Sequence, residues 1–403
     1  MSNNDDFPSG GAVAPGFEAV REAFLDAQRR DPGGAQLCVY RRGERVVDLW
    51  AGRDPVNERP YDDTRIGVLM SCTKGVVAAG VHILAERGLV DFDAPLARYW
   101  PEFGQAGKSG ITVRQALSHT AGLMGYDAEA GMGPRELFDA AAAAQALERM
   151  TPLWAPGSAA FYHFVTFGVL AGELIRRVDG RSAGRFVAEE IVRPLGVDLW
   201  IGLPEAEEPR RAPHFNEGPQ ILFDQWRGVL AAAGLDVEDR IVRAFLSTAM
   251  TTDTAIQQMN TERAFRAGEL PAGNAIGDAR ALAKIYAALI GEVDGVRLIG
   301  PAAMERARAP QTAGLGAPGE LAKMARGEGQ PYGLGFELPS GVKPMLGPGS
   351  FGHAGAGGRM GFAHPESGIA VGYVCNTMLQ SPANPDPRWV GWTAALNEIA
   401  AAS

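Results

Sequence analysis

The chain has 403 residues with a formal net charge of −9; 46 % of its residues are apolar and 21 % are charged. A chain of this length and composition can form a globular protein with a sizeable core and has room for two lobes. The acidic balance argues against nucleic acid and against anionic membrane surfaces as partners.

The N-terminal region predicts one helix followed by a β-hairpin. The first residues, MSNNDDFPSGGAVAPGF, contain neither the basic nor the apolar region of a signal peptide. Residues 15–30 place Phe17, Val20 and Phe24 on one helical face, and the DPGG sequence that follows ends the helix. Residues 35–52 then read as two β-rich runs joined by a turn at Gly43.

The middle of the chain is predicted to be mostly helical. From Ser71 the pattern turns helical, with an apolar face that ends at Gly88. Helical and loop signals continue to about residue 274, most clearly in the alanine-rich residues 140–144 and in TFGVLAGELIRRV. The acidic segment LPEAEEPRRAP predicts a solvated loop. No apolar run is long enough to span a bilayer.

The C-terminal region returns to β-type patterns. A helix, ARALAKIYAALI, precedes the runs YGLGFEL and GRMGFAHPESGIAVGYVCN, and a closing helix falls near WTAALNEIAA. Strands at both ends with helices between them predict an α/β domain from residues 1–75 and 275–403. A mostly helical, all-α domain is predicted from residues 76–274, with the active site at the interface of the two.

The cysteines and histidines give no sign of a metal site. Cys38, Cys72 and Cys375 lie far apart, which fits neither a disulfide framework nor a zinc site. The six histidines show no metal-binding spacing. We therefore expect a reduced, cytoplasmic protein that holds no metal. Cys72 is expected to be a buried packing residue rather than a reactive thiol.

Two serine–lysine pairs share the spacing S-x-x-K: Ser71 with Lys74, and Ser340 with Lys343. Residues three apart lie side by side only on a helix. Ser340 and Lys343 fall between two β-type runs, so we interpret them as a solvated turn. Ser71 stands at the first turn of an apolar helix, where burial and the helix dipole favour a neutral lysine that can act as a base. An N-cap role for Ser71 is the open alternative.

Five segments resemble a known family. They are MSCTKGVVAAGVHILAERGLVDFDAPLARYWPEF, ITVRQALSHTAGL, PGSAAFYHFVTFGVLAGELIRRVDG, AGNAIGDARALAKIYAAL and SFGHAGAGG. Their order, over about residues 35–376, resembles that of the serine β-lactamase-like hydrolases. The chain looks closest to the family VIII carboxylesterases, which share a fold with class C β-lactamases and D-amino-acid peptidases. The resemblance implies a β-lactamase/penicillin-binding-protein-like fold, in which an antiparallel sheet is flanked by helices and carries an inserted helical lobe.

The second family motif resembles the residues around Tyr162, which follows a Pro-Gly turn and precedes a helix. The resemblance implies that Tyr162 passes a proton between Ser71 and the leaving group; a core tyrosine is the alternative. Lactam- and peptide-cleaving relatives often carry asparagine or serine two residues later, where this chain has Phe164. We therefore expect Phe164 to contact substrate and to favour esters over amides.

The third motif, lysine-threonine-glycine in β-lactamases, resembles His353, Ala354 and Gly355 here. The resemblance implies that His353 and Gly355 contact substrate, with a mostly neutral His353 as a wall residue. It also implies an oxyanion hole made by the backbone N–H groups of Ser71 and Ala356.

The predicted function is a carboxylesterase that forms an acyl-enzyme on Ser71, with Lys74 and Tyr162 as the other catalytic residues. Its expected partner is a small-molecule ester with a short or apolar acyl group, and no cofactor is needed. Acyl transfer, or cleavage of D-amino-acid amides and peptides with weak β-lactamase activity, would use the same intermediate. A non-catalytic binding protein on this scaffold is the alternative from another class. The sequence leaves the oligomeric state open.

Overall fold

The structure, a computed structural model, describes residues 7–216, 223–324, 329–379 and 385–402. The strands are β1 (Ser9–Val13), β2 (Gly34–Arg41), β3 (Glu44–Asp54), β4 (Arg59–Pro60), β5 (Gly67–Val68), β6 (Leu199–Trp200), β7 (Phe215–Asn216), β8 (Ile276–Gly277), β9 (Phe351–Gly355), β10 (Arg359–His364), β11 (Ile369–Cys375) and β12 (Thr377–Met378). The α-helices are α1 (Glu18–Gln28), α2 (Cys72–Glu86), α3 (Val113–Leu117), α4 (Ala140–Arg149), α5 (Thr166–Asp179), α6 (Ala183–Val187), α7 (Arg193–Leu195), α8 (Phe223–Ala232), α9 (Arg240–Thr261), α10 (Arg263–Ala267), α11 (Ala279–Ile290), α12 (Pro301–Arg308) and α13 (Pro387–Ala401).

The main sheet is antiparallel and joins the two ends of the chain. Its strand order is β1-β3-β2-β11-β10-β9, and the short strand β4 also pairs with the end of β3 at Arg53 and Asp54. The predicted β2–β3 hairpin turns at Arg42 and Gly43, whose φ angles of 51° and 86° suit a tight hairpin turn. β11 pairs with β2 in the middle of the sheet, so the chain ends are locked together there. Two smaller sheets, β5-β8-β6 and β12-β7, lie outside this path.

Helices cover both faces of the main sheet. On one face α1 and α13 pack against each other and bury Phe24 and Trp392 completely. On the other face α11 packs on β2, β10 and β11, and α2 packs beside it on β9. Helices lie between the N-terminal and C-terminal strands of this sheet, which confirms the predicted fold class. The boundaries of the two predicted domains stay a prediction.

Helix α2 lies in the centre of the molecule. Every residue from Cys72 to Leu84 is buried, because α2 contacts the sheet on one side and α5 and α6 on the other. A helix that is apolar on all sides is a fully buried one. The N-terminus of α2 therefore opens between the sheet and the helices, and Ser71 lies there.

Two predicted elements were wrong. The segment LPEAEEPRRAP is not a simple solvated loop, because its residues Glu205–Arg210 form a 3-10 helix. In it, Glu208 accepts hydrogen bonds from Arg263 at 2.8 Å and from Arg266 at 2.9 Å. Arg266 is only 7 % exposed, so this acidic segment is fastened to α10 by a partly buried ion pair.

The run YGLGFEL does not form a regular strand. Only isolated bridges, from Glu337 to Tyr332 and to Gly352, give it β character. Gly335 has a φ of 85°, and a Cβ added there would lie 2.5 Å from the Cβ of Ala78 on α2. The glycine therefore allows the chain to turn closely against the central helix, which an extended strand would not do.

Candidate active site

Ser71 lies at the N-terminal end of α2 in a strained turn. Met70, the residue before it, has a φ of 50°, in the left-handed region that a side chain normally avoids. Ser71 itself has helical angles (φ −65°, ψ −9°), and its side chain makes no capping hydrogen bond to the helix. The N-cap alternative is therefore wrong, and the Ser71 hydroxyl is directed elsewhere.

Lys74 is buried and lies directly beside Ser71. Its Nζ is 3.1 Å from Ser71 Oγ and donates to the backbone oxygen of Ala272 at 2.8 Å. Within the described residues no carboxylate forms an ion pair with Lys74, although Glu337 is near enough to act on it. Burial lowers the pKa of Lys74 to about 7 despite the opposing effect of Glu337. Near neutral pH, much of Lys74 is therefore an uncharged amine next to a hydroxyl.

Tyr162 completes a cluster around Ser71. The Ser71 hydroxyl is near enough to act on the Tyr162 phenol and lowers its pKa against the effect of burial, and the Tyr162 ring centre lies 4.8 Å from Lys74 Nζ. Burial raises the pKa of Tyr162 well above its usual range, so the phenol remains protonated. The N–H of His163 donates to His119 Nδ1 at 3.0 Å and holds the segment that carries Tyr162. His119 is therefore a buried structural residue.

The cluster opens into a cavity of about 520 Å³. Phe164 lines it and packs its ring 5.2 Å from the ring of Tyr162. Helix α9 forms a second wall, which the sequence did not assign; its contributing residues are Thr252, Asp253, Ala255, Ile256 and Met259. Their spacing of three and four places them on one side of α9. The cavity is therefore mainly apolar around one polar cluster.

Strand β9 closes the cavity opposite Tyr162. Gly355 and Ala356 line it, and a Cβ at Gly355 would lie 2.4 Å from the carbonyl oxygen of Leu69. Glycine is thus required for β9 to approach the turn that precedes Ser71. The N–H groups of Ser71 and Ala356 donate to no acceptor among the residues that the structure describes. Two unpaired backbone donors therefore border the same cavity.

His353 does not line the cavity, which corrects one substrate-contact prediction. Its side chain is 1 % exposed, and its Nδ1 lies 2.7 Å from the backbone oxygen of Ala354. Burial lowers the pKa of His353 to about 4, so the ring is neutral as expected. His353 belongs to β9, and its backbone oxygen accepts a hydrogen bond from Cys72 Sγ at 3.1 Å. Burial also raises the pKa of Cys72, which makes it a packing residue, as predicted.

The second S-x-x-K pair lies on a turn, as predicted, but the prediction of a solvated side chain was wrong for Lys343. Ser340 and Lys343 exchange two backbone hydrogen bonds, while Ser340 Oγ donates to Gln330 at 3.0 Å and accepts from the Lys343 N–H at 3.2 Å. Lys343 is not simply solvated, because it lines the cavity and forms an ion pair with buried Glu337. The ammonium of Lys343, with a hydrogen bond from the N–H of Ala354, holds the pKa of Glu337 below its usual range against the effect of burial. The sequence carried no signal for this ion pair.

A further serine motif lies outside the cavity. The sequence GRSAG at residues 180–184 matches the nucleophile pattern G-x-S-x-G, yet it joins α5 to α6 instead of a strand to a helix. Ser182 Oγ accepts from the N–H of Arg185 and donates to Glu269 at 2.7 Å. Its hydroxyl is therefore used for capping.

No helix among the described residues is long and apolar enough to cross a membrane. No group of three or more histidine, cysteine, aspartate or glutamate side chains there has the arrangement of a metal site.

The chain belongs to the beta-lactamase family, whose sequence pattern matches residues 19–394. The Esterase/beta-lactamase LipL of Mycobacterium tuberculosis is 34 % identical over 376 residues, which cover 92 % of this chain and 83 % of LipL. Both the family and the described fold agree with the resemblance seen in the motifs.

Solved structures support the same assignment. A family VIII carboxylesterase superimposes with a TM-score of 0.80 and 32 % identity, covering 96 % of this chain and 98 % of the other. A penicillin-binding protein homolog from Caulobacter crescentus gives a TM-score of 0.80 and 34 % identity, covering 97 % and 99 %. The fold is therefore shared along nearly the whole chain with proteins that carry both esterase and penicillin-binding names.

Proposed function

We propose that the protein hydrolyses carboxylic esters through an acyl-enzyme on Ser71. The observation that carries this is the contact of 3.1 Å between Ser71 Oγ and the buried amine of Lys74. A serine hydroxyl is a weak nucleophile until an adjacent base takes its proton. Lys74 is such a base, because burial lowers its pKa to about 7.

The reaction begins when Ser71 Oγ attacks the ester carbonyl carbon and its proton moves to Lys74. The carbonyl oxygen becomes an oxyanion, which the free N–H groups of Ser71 and Ala356 stabilise by hydrogen bonds. When the C–O bond to the alcohol breaks, Tyr162 donates its proton to the leaving oxygen and regains one from Lys74. Water then attacks the acyl carbon and gives a proton to Lys74, and the acid is released as Ser71 Oγ regains that proton.

The substrate is proposed to be a small ester with an apolar acyl or alcohol group. Phe164 stands where lactam- and peptide-cleaving relatives often carry asparagine or serine, and it offers an aromatic wall instead. The apolar side of α9 extends that wall. The names esterase and carboxylesterase of the relatives support this choice over amides. A cytoplasmic location stays a prediction from the sequence.

The first test is the hydrolysis rate of p-nitrophenyl butyrate by the wild type, Ser71→Ala and Ser340→Ala. We expect Ser71→Ala to lose at least about 10³-fold in kcat, because the nucleophile is removed. Ser340→Ala is the matched control and is expected to keep full activity, since its hydroxyl faces Gln330. An active Ser71→Ala variant would contradict the site assignment.

A second measurement separates the alternatives that share the intermediate. Adding an alcohol acceptor to the assay distinguishes the free acid from a transferred acyl product, and a D-amino-acid amide tests amide cleavage. A serine-reactive phosphonate is expected to label the wild type and not Ser71→Ala. An unlabelled wild type that turns over no ester would favour the non-catalytic binding protein.

A further inference from the structure

The turn after β9, residues 356–358, has all of its carbonyl groups held by side chains. Arg359 Nη1 donates to the oxygen of Ala356 at 2.9 Å. Arg388 Nη2 donates to the oxygen of Gly357 at 2.7 Å, and Trp389 Nε1 donates to the oxygen of Gly358 at 2.8 Å. Turn carbonyls that border a cavity ordinarily accept from water, so three side-chain donors on consecutive residues are a built feature.

The donors from α13 lie directly against the turn backbone. Gly358 has a φ of 102°, and a Cβ added there would lie 2.0 Å from Arg388 Nη2. Gly357 has a φ of 77°, and its Cβ would lie 2.3 Å from Arg359 Nη1. The two glycines are therefore needed both for the turn and for the close approach of the guanidinium groups.

The hydrogen bonds connect α13 to the N–H of Ala356 through rigid peptide planes. The C=O of Gly357 and the N–H of Gly358 belong to one plane, and that N–H donates to the oxygen of Gly355 at 3.1 Å. The C=O of Gly355 and the N–H of Ala356 belong to the next plane. The hydrogen bond from Arg388 to the oxygen of Gly357 fixes the first plane, and the hydrogen bond from Gly358 to Gly355 connects it to the second. Arg388 therefore fixes the direction of the Ala356 N–H.

The α13 side chains are themselves immobilised. Arg388 is 4 % exposed and forms ion pairs with Asp386 at 2.6 Å and with Asp31 at 3.1 Å. Trp389 is 6 % exposed and also borders the cavity. A backbone N–H is held precisely only when the side chains that position it are themselves held in one rotamer.

We propose that Arg388 and Trp389 are positioning residues that aim the N–H of Ala356 at the oxyanion. This rests on the proposed function, in which Ala356 supplies one oxyanion hydrogen bond. Neither side chain reacts; both act through the turn. The consequence is that the C-terminal helix, far from Ser71 in sequence, controls the rate of acylation and deacylation.

Trp389→Phe tests this with a matched control on the same helix. The substitution keeps an aromatic ring and removes the N–H that holds Gly358, together with part of the indole ring. Trp392→Phe is the control, because Trp392 is fully buried one turn later and its Nε1 has no hydrogen-bond partner among the described residues. Removing an oxyanion donor outright costs about 10²–10³ in kcat, so loosening one is expected to cost about tenfold.

The measurement is kcat and KM on p-nitrophenyl acetate, butyrate and hexanoate. We expect Trp389→Phe to lower kcat by a similar factor on all three esters with KM nearly unchanged, and Trp392→Phe to keep the wild-type kcat. A kcat at the wild-type level in Trp389→Phe overturns the proposal. So does a loss that depends on acyl length or appears only in KM, since a mere cavity wall would give that result.

Arg388→Lys is the second variant, and it keeps the charge while removing the planar pair of donors. It is expected to show the same uniform loss of kcat, and it decides the question where Trp389→Phe fails to fold. The proposed function fails in a different way: an active Ser71→Ala, or no ester turnover by the wild type, removes the acyl-enzyme itself. If Ser71→Ala is inactive while both α13 variants keep full kcat, only the positioning proposal is overturned.

Discussion

The pH dependence of the esterase reaction should report the ionisation of Lys74. Burial lowers the pKa of Lys74 from the usual lysine value of 10.5 to about 7. At pH 7 this raises the fraction of uncharged amine by about three orders of magnitude compared with an ordinary lysine. Because only the uncharged form can accept the Ser71 proton, kcat/KM should rise with pH and level off above about pH 8.

Substituting Lys343 by methionine should move this profile to higher pH. The ammonium of Lys343 lowers the pKa of Lys74, whereas the carboxylate of Glu337 raises it. Without Lys343 the charge of Glu337 is no longer compensated, so Lys74 binds its proton more tightly. Each unit by which the pKa rises lowers the rate at pH 6 about tenfold, while the rate on the alkaline plateau is unchanged.

The assay is kcat/KM on p-nitrophenyl butyrate from pH 5 to 9, corrected for spontaneous hydrolysis. Lys323→Met is the control, because Lys323 is an exposed lysine paired with Glu320 at 2.6 Å, and it should leave the profile unchanged. His353 does not contribute to the pH profile, because its pKa of about 4 lies below the pH range of the assay. A wild-type profile without an inflection near pH 7, or a shift to lower pH in Lys343→Met, would refute the reasoning.

Three further variants test other parts of the site. Lys74→Met should abolish activity and raise the melting temperature at pH 6, because burying this amine costs about 5 kcal/mol of folding free energy below its folded pKa of about 7. The gain in melting temperature should shrink as the pH rises towards 10.5, because the lysine of the unfolded chain then loses its proton too. Tyr162→Phe should lower kcat about 10²-fold or more with little change in KM, as expected for a lost proton donor. Gly355→Ala should lower both activity and melting temperature, because its Cβ would lie 2.4 Å from the oxygen of Leu69, whereas Gly110→Ala meets nothing within 4 Å and should be silent in both assays.

The sequence predicted the central features of the fold and the site where local periodicity was strong. The β2–β3 hairpin and the helix from Cys72 to Glu86 agree with the prediction, since both patterns run over many residues. Choosing Ser71 over Ser340 followed from the same argument, because three-residue spacing brings side chains together only on a helix.

The sequence could not predict contacts made by irregular chain. YGLGFEL has the composition of a strand, yet its glycine at position 335 serves the approach to Ala78. Lys343 reaches Glu337 because the turn at residues 340–343 folds back over the cavity, and no periodicity encodes that path. The link from Trp389 to Gly358 joins a helix start to a turn about thirty residues earlier, which only the tertiary fold brings together.

Ser71 is also distinguished from Ser340 by local features that cost folding free energy. Met70 holds a left-handed backbone angle that costs about 1–3 kcal/mol, and Lys74 is a buried amine without an ion-pair partner in the described chain. The N–H of Ser71 is left without an acceptor there as well. Such costs persist where the surrounding packing over-determines the geometry, and here the fully buried helix α2 provides that packing. Ser340 shows the opposite pattern, with both its backbone and its hydroxyl satisfied in an ordinary turn. Strain, a buried amine without an ion-pair partner and a free donor within five residues therefore support Ser71 as the proposed nucleophile, independently of any family resemblance.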